Sequence, residues 1–252
     1  MKQRRLPNML AWGIPQRQSG MAPARHEKPD RMRIRLLAGL VLVCGLLPVS
    51  LVQAGSFDRF FQAAKVDNEL TINELLQAGL DPNVIEEERG DTALILALRE
   101  DSMRVVQALL KSPDIDLEIK ARNGDNALMI AAFKDNLAAV KALLAHGAKV
   151  NRPGWTALHY AAAAGNNPVM QLLLDKKAEV DALAPNKTTP LMMAARGGHI
   201  LAVKLLLDAG ANPTLVNEQG YDAVAMAKLF NNTDIVDGLN YRIKKYQESK
   251  KN

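Results

Sequence analysis

Between about residues 57 and 245 the chain returns again and again to one pair of short patterns, and this periodicity limits its fold more than any other feature. Leucine pairs followed by glycine occur at Leu75-Leu76 before Gly79, Leu143-Leu144 before Gly147 and Leu206-Leu207 before Gly210. Leu109-Leu110 and Leu173-Leu174 keep the leucines, with Pro113 and Lys177 in the glycine place. Upstream of each later pair stands an alanine-rich motif: Thr92-Ala-Leu-Ile-Leu-Ala97, Asn126-Ala-Leu-Met-Ile-Ala131, Thr156-Ala-Leu-His-Tyr-Ala161 and Thr189-Pro-Leu-Met-Met-Ala194. These begin 34, 30 and 33 residues apart, and a degenerate copy starts 33 further on at Asp222.

The spacing inside one unit predicts two short helices. Leu191, Ala194 and Ala195 lie three and four apart, on one face of a helix that ends near Gly197-Gly198. A second helix over about 200–209 puts Val203, Leu206 and Leu207 on one stripe, and Gly210 stops it by taking the left-handed conformation. Thr at the motif start suits an N-cap. Neither helix can bury its stripe alone, so neighbouring units must stack.

These copies resemble the ankyrin repeat, a unit of about 33 residues marked by T-P-L-H-x-A. Thr189-Pro190-Leu191 and Thr156-Ala157-Leu158-His159 carry the resemblance best, with Gly147-Ala148-Lys149-Val150-Asn151 and Gly210-Ala211-Asn212-Pro213. It implies an all-α solenoid of about six helix-turn-helix repeats joined by hairpin-like loops, over about 57–87, 88–121, 122–151, 152–184, 185–217 and 218–245 within a domain of 55–245. The ends differ, as capping repeats should: Phe57, Phe60 and Phe61 replace the Thr motif in the first, and 246–252 form a polar tail. The 30-residue spacing leaves three residues missing between Asn151 and Gly154, so the loop between repeats three and four should be short.

The net charge of +5 belongs to the N-terminal segment. Residues 1–54 hold nine of the 32 Lys/Arg and two of the 27 Asp/Glu, leaving 23 basic and 25 acidic residues in the body. A nucleic-acid-binding body would need a basic field of its own, so that class loses support.

Residues 32–54 have the order of a secretory signal peptide: Arg31, Arg33 and Arg35, an apolar run Leu36–Val52 broken by Pro48, then Val52-Gln53-Ala54 before a cleavage site at Ala54/Gly55. The run has 17 residues, at the short end for a bilayer span, so an uncleaved inner-membrane anchor is the alternative. Residues 1–31 show no apolar periodicity and read either as a disordered leader or as an extension upstream of a start at Met32. Cys44, the single cysteine, lies in the apolar run, so a cleaved chain has none, which suits an oxidising compartment. The expected location is the periplasm or outside the cell, with membrane contact only through the signal.

No catalytic constellation, phosphate loop or zinc spacing is present in the body. His159 and His199 fall where the resemblance implies structural histidines, and His146 precedes the helix-ending Gly147. No cofactor is expected. Glu86-Glu87-Glu88 reads as a solvated loop tip, with a basic-partner contact as its alternative. The resemblance places partner binding on the concave surface of loop tips and first helices. Apolar and Arg side chains expected there are candidate contacts to another protein: Trp155 and Tyr221 at loop tips, Arg152 and Tyr160 nearby, and Arg99, Phe133, Lys134 and Arg196 at first-helix ends. The competing account has Trp155 and Phe133 folding over neighbouring repeats. The sequence points to a non-enzymatic scaffold; an anchored assembly or stress-protection factor retaining 36–52 is the alternative, and an enzyme built on the stack lacks convergent titratable groups.

Overall fold

A computed structural model describes residues 49–249. The leader, Cys44 and the signal segment up to Pro48 lie outside the described residues. Twelve helices pair into six units: α1 (Val49–Lys65) with α2 (Glu69–Gln77), α3 (Ala93–Arg99) with α4 (Met103–Leu110), α5 (Ala127–Phe133) with α6 (Leu137–Ala145), α7 (Ala157–Ala164) with α8 (Asn167–Asp175), α9 (Pro190–Gly197) with α10 (Ile200–Asp208), and α11 (Ala223–Leu229) with α12 (Thr233–Ser249). The Ala54–Gly55 bond lies inside α1, and α12 continues past Lys245 to Ser249.

From the second unit on, the first helix begins where a side-chain oxygen can close its open amides. Thr92 Oγ1 accepts from Ile95 N–H at 3.2 Å, Asn126 Oδ1 from Met129 N–H at 3.1 Å and Thr189 Oγ1 from Met192 N–H at 3.3 Å. The residue three places on returns the bond: Asn126 N–H and Thr189 N–H donate to the sulfurs of Met129 and Met192, and Thr156 N–H to Nδ1 of His159. The turn after each first helix needs a positive φ, and it is filled by Asp67, Asp101, Asp135, Gly165, Gly198 and Asn231 in succession. These are the residue types that reach the left-handed region at least cost.

Small residues decide the stacking. α5 is buried throughout its length, and alanines in α7 and α9 let the inner helices come close. First helices touch far more extensively than second helices do, so the stack curves with α3, α5, α7 and α9 on its inner side. The second helices cover the outside through stripes such as Val105, Val106 and Leu109, or Ala202, Val203 and Leu206. Asn166 Nδ2 donates to the carbonyls of Ala132 and Phe133, and Asn232 Nδ2 to those of Ala195 and Arg196, so units four and six close the open helix end of the unit before.

Five loops project as fingers over 84–91, 117–125, 150–155, 180–188 and 213–221. Their bases are tied throughout, for example by Glu118 Oε1 to Lys149 N–H at 2.9 Å and Asp181 to Asn212 N–H at 3.0 Å. Their tips are tied only in pairs: Arg122 N–H donates to Arg89 O at 2.9 Å, and Glu218 N–H to Asn186 O at 3.0 Å. The third finger is the short one and stands between the two pairs. An isolated antiparallel bridge, Ile85 to Thr92, is the nearest approach to a strand among the described residues.

Candidate functional site

The inner surface carries a polar cluster that spans three units. Asp91 and Asp125 stand just before the caps of α3 and α5, and both carboxylates are buried. Arg99, at the end of α3, joins Asp91 of its own unit to Asp125 of the next, with Nε 3.0 Å from Asp91 Oδ2 and Nη2 3.5 Å from Asp125 Oδ2. Its side chain is only 8% exposed, so this is an ion pair in the body of the fold. Arg89 adds a contact to Asp91 at 3.2 Å from a half-exposed position. From α7, the Tyr160 hydroxyl donates to Asp125 Oδ1, and Asn123 Nδ2 donates to the other oxygen at 2.7 Å. Burial, then the Asp125 carboxylate, push the Tyr160 phenol far above its ordinary range, so it stays a donor.

This arrangement corrects the exposure expected of three candidate contacts. Tyr160 is 2% exposed and Phe133 7%, and the two rings meet edge to face at 6.4 Å, so both join the core. Arg99 is spent on Asp91 and Asp125. The first-helix ends, expected to face a partner, come together with the residues before the caps when the units stack. Asp91 and Asp125 escaped notice in the sequence; the signal was their 34-residue spacing, equal to one repeat, with Arg99 eight residues after the first.

The remaining candidates lie at the surface or near it. Trp155 is half-buried beside the short finger, its ring edge-on to His159 at 5.2 Å. Gly154 before it has φ +87, and a Cβ there would sit 3.8 Å from Pro185 of the fourth finger. Arg152 is half-buried and donates from Nη1 to Met129 Sδ at 3.4 Å. Lys134 pairs with Asp101 at 2.9 Å, Arg196 covers the ring of Phe230 at 4.5 Å, and Tyr221 is 41% exposed. Glu86 is drawn inward, accepting from the N–H groups of Glu88, Arg89 and Asp91, while Glu87 and Glu88 remain exposed.

The histidines close backbone groups. His159 is fully buried; its Nδ1 accepts from Thr156 N–H, which makes Nε2 the donor to Thr188 O of the next unit at 3.0 Å. Burial holds its pKa down to about 4, so the ring is neutral at pH 7. His199 Nε2 meets Ala163 O at 3.0 Å and His146 Nδ1 meets Ala142 O at 2.8 Å. Among the described residues no group of three His, Cys, Asp or Glu side chains could hold a metal.

The third finger thus carries a half-buried tryptophan and a half-buried arginine on the curved inner surface, and known proteins share the framework that holds them. A family profile described as ankyrin repeats matches three times, over residues 60–153, 114–184 and 158–248. An ankyrin repeat-containing protein of Treponema pallidum is 31% identical over 181 residues, 69% of this chain and 49% of its own length. Human SH3 and multiple ankyrin repeat domains protein 2 is 34% identical over 165 residues, 64% of this chain and 9% of that protein. The chicken nuclear factor NF-kappa-B p105 subunit is 33% identical over 153 residues, 58% and 16% respectively. The chain thus spans half or less of the curated relatives it matches, and what is shared is the repeat array. With matches running in phase from the first helix pair to the last, the chain belongs to the ankyrin-repeat family.

Proposed function

We propose that the chain is a non-catalytic scaffold that holds another protein against its concave face, centred on Trp155 and Arg152. Ankyrin repeats are protein-interaction scaffolds, typically without enzymatic activity of their own. The observation that carries the finer reading is the short third finger, where a tryptophan and an arginine stay partly exposed while the neighbouring inner residues Tyr160 and Phe133 are buried. Large aromatics and arginine at such places anchor interfaces. The test is capture of partners by the purified chain, comparing it with Trp155→Ala. A central aromatic contributes about 2 kcal/mol or more, so affinity should fall about thirtyfold. Because the ring also packs on His159, a modest drop in melting temperature is expected alongside. A variant that loses stability but binds normally while folded would assign Trp155 to packing alone.

We place this scaffold in the periplasm, after removal of a signal ending at Ala54. The support is the arginine–apolar–Val-x-Ala order of residues 31–54 and a body without cysteine. Mass spectrometry of the exported chain should find it beginning Gly55-Ser56-Phe57. The second reading keeps residues 36–52 as an inner-membrane anchor. A mature chain still containing Cys44 would decide for the anchor.

A further inference from the structure

We propose that the tips of the three central fingers take an acidic peptide segment, with a carboxylate seated on Arg152 and an apolar side chain against Trp155. This deepens the concave-face reading above and rests on it. The argument is one of charge already spent and charge left over. The second, third and fourth fingers carry three acidic side chains from 118 onward, and each is engaged within the fold. Asp125 takes Arg99, Asn123 and Tyr160; Glu118 takes Lys149 N–H and Asn126 Nδ2; Asp181 takes Asn212 N–H. The same fingers carry Lys120, Arg122, Arg152 and Lys187. Among the described residues none of these four stands in an ion pair.

Arg152 is the one of the four that is half-buried. A guanidinium has five N–H donors in a fixed fork, and the hydrogen bond it makes is with a thioether, a weak acceptor, while its charge also acts on the Tyr160 hydroxyl that is bound to Asp125. A partly desolvated cation with open donors is matched by a carboxylate, which accepts two parallel bonds at once. The third finger is three residues short of the repeat spacing, and among the described residues its tip has no backbone bond to the finger on either side. Arg122 and Lys187 flank the place on the neighbouring fingers, both exposed, and would draw an acidic segment in. Trp155 lies three residues from Arg152 and offers the apolar contact that distinguishes a peptide from a bare polyanion.

The test uses the full chain with Trp12→Phe, which leaves Trp155 as its single tryptophan. The probe is a ten-residue peptide alternating Glu and Leu, followed by Trp155 fluorescence and by calorimetry. Expected are a change in Trp155 emission on binding, loss of affinity of about tenfold or more in Arg152→Gln, and a smaller loss in Lys187→Gln. Lys187 is exposed, so its replacement reads charge with the fold intact, and thermal melts of both variants check folding. The basic leader is common to all variants and cancels in the comparison. Equal binding of the Gln-for-Glu peptide, or unchanged affinity in Arg152→Gln and Lys187→Gln, overturns the proposal. So does tighter binding, dependent on Arg152, to a single-stranded oligonucleotide or to vesicles of phosphatidylglycerol. If Trp155→Ala abolishes partner capture while Arg152→Gln leaves it untouched, the concave site stands and its acidic specificity falls; if both leave capture unchanged, both readings fall.

Discussion

His159 shows how much one side chain can hold in a stacked fold. It is fully buried, returns a bond to its own cap and donates across the interface to Thr188 O. Sequence alone makes it one lost hydrogen bond, about 1 kcal/mol. The structure raises that: His159→Ala opens a cavity and orphans groups on two units, so chemical denaturation should find a loss of about 2–3 kcal/mol. Leu206→Ala, at a site with no exposure, should cost about 2–5 kcal/mol. A loss under half a kcal/mol at His159 would mean the bridge to Thr188 is idle. The same residue sets a pH dependence. Its folded pKa of about 4 lies below the unfolded value of 6.5, so below pH 6.5 the unfolded state binds the proton first. This contribution is complete above pH 6.5 and is lost as pH falls toward 4, by up to about 3 kcal/mol. Denaturation midpoints measured from pH 7.5 to 4 should fall in the wild type and flatten over that window in His159→Gln.

At the scale of the helix pair, the turn between first and second helices is the most constrained point. Gly165 has φ +71, and a Cβ there would lie 2.6 Å from Nδ1 of His199 in the next unit. Gly165→Ala should therefore cost about 2 kcal/mol or more, the left-handed penalty plus displacement of the imidazole from Ala163 O. An unchanged melting temperature would show that His199 moves freely. The helices themselves were legible from the sequence, because each buries a stripe whose spacing repeats locally. The inner cluster was not. Asp125 meets Tyr160 from 35 residues away and Arg99 from the unit before, and such pairs exist only once curvature brings first helices together. That is why Tyr160, Phe133 and Arg99, expected on the concave surface at or near the first helices, turned out to be interior. Trp155 and Tyr221, expected at loop tips, stand at the last residue of their fingers, directly before the caps Thr156 and Asp222, and both stay partly exposed. Restoring three residues, Ala-Leu-Ala, between Asn151 and Arg152 should change stability by less than about 1 kcal/mol, since lengthening a surface loop costs little. It should abolish binding of the acidic peptide, and calorimetry on one sample would read both.

For the whole molecule, a solenoid is expected to behave as a line of neighbours, each unit stabilised by the next. The Asp91–Arg99–Asp125–Tyr160 cluster links units two, three and four through two successive neighbour contacts that share Asp125. Hydrogen exchange should accordingly be slowest in α5 and α7 and fastest in α12, which has a neighbour on one side only. Uniform protection along the array would argue that the cluster adds no cohesion. The finger tips tell a different story from the helices. Tied in two pairs with an untied finger between them, they leave the concave rim without a continuous belt, while the inner helices behind it run unbroken. The array is thus built like a bound book: α5, α7 and α9 form an unbroken spine, and the finger tips form two separately tied pairs with the third finger between them.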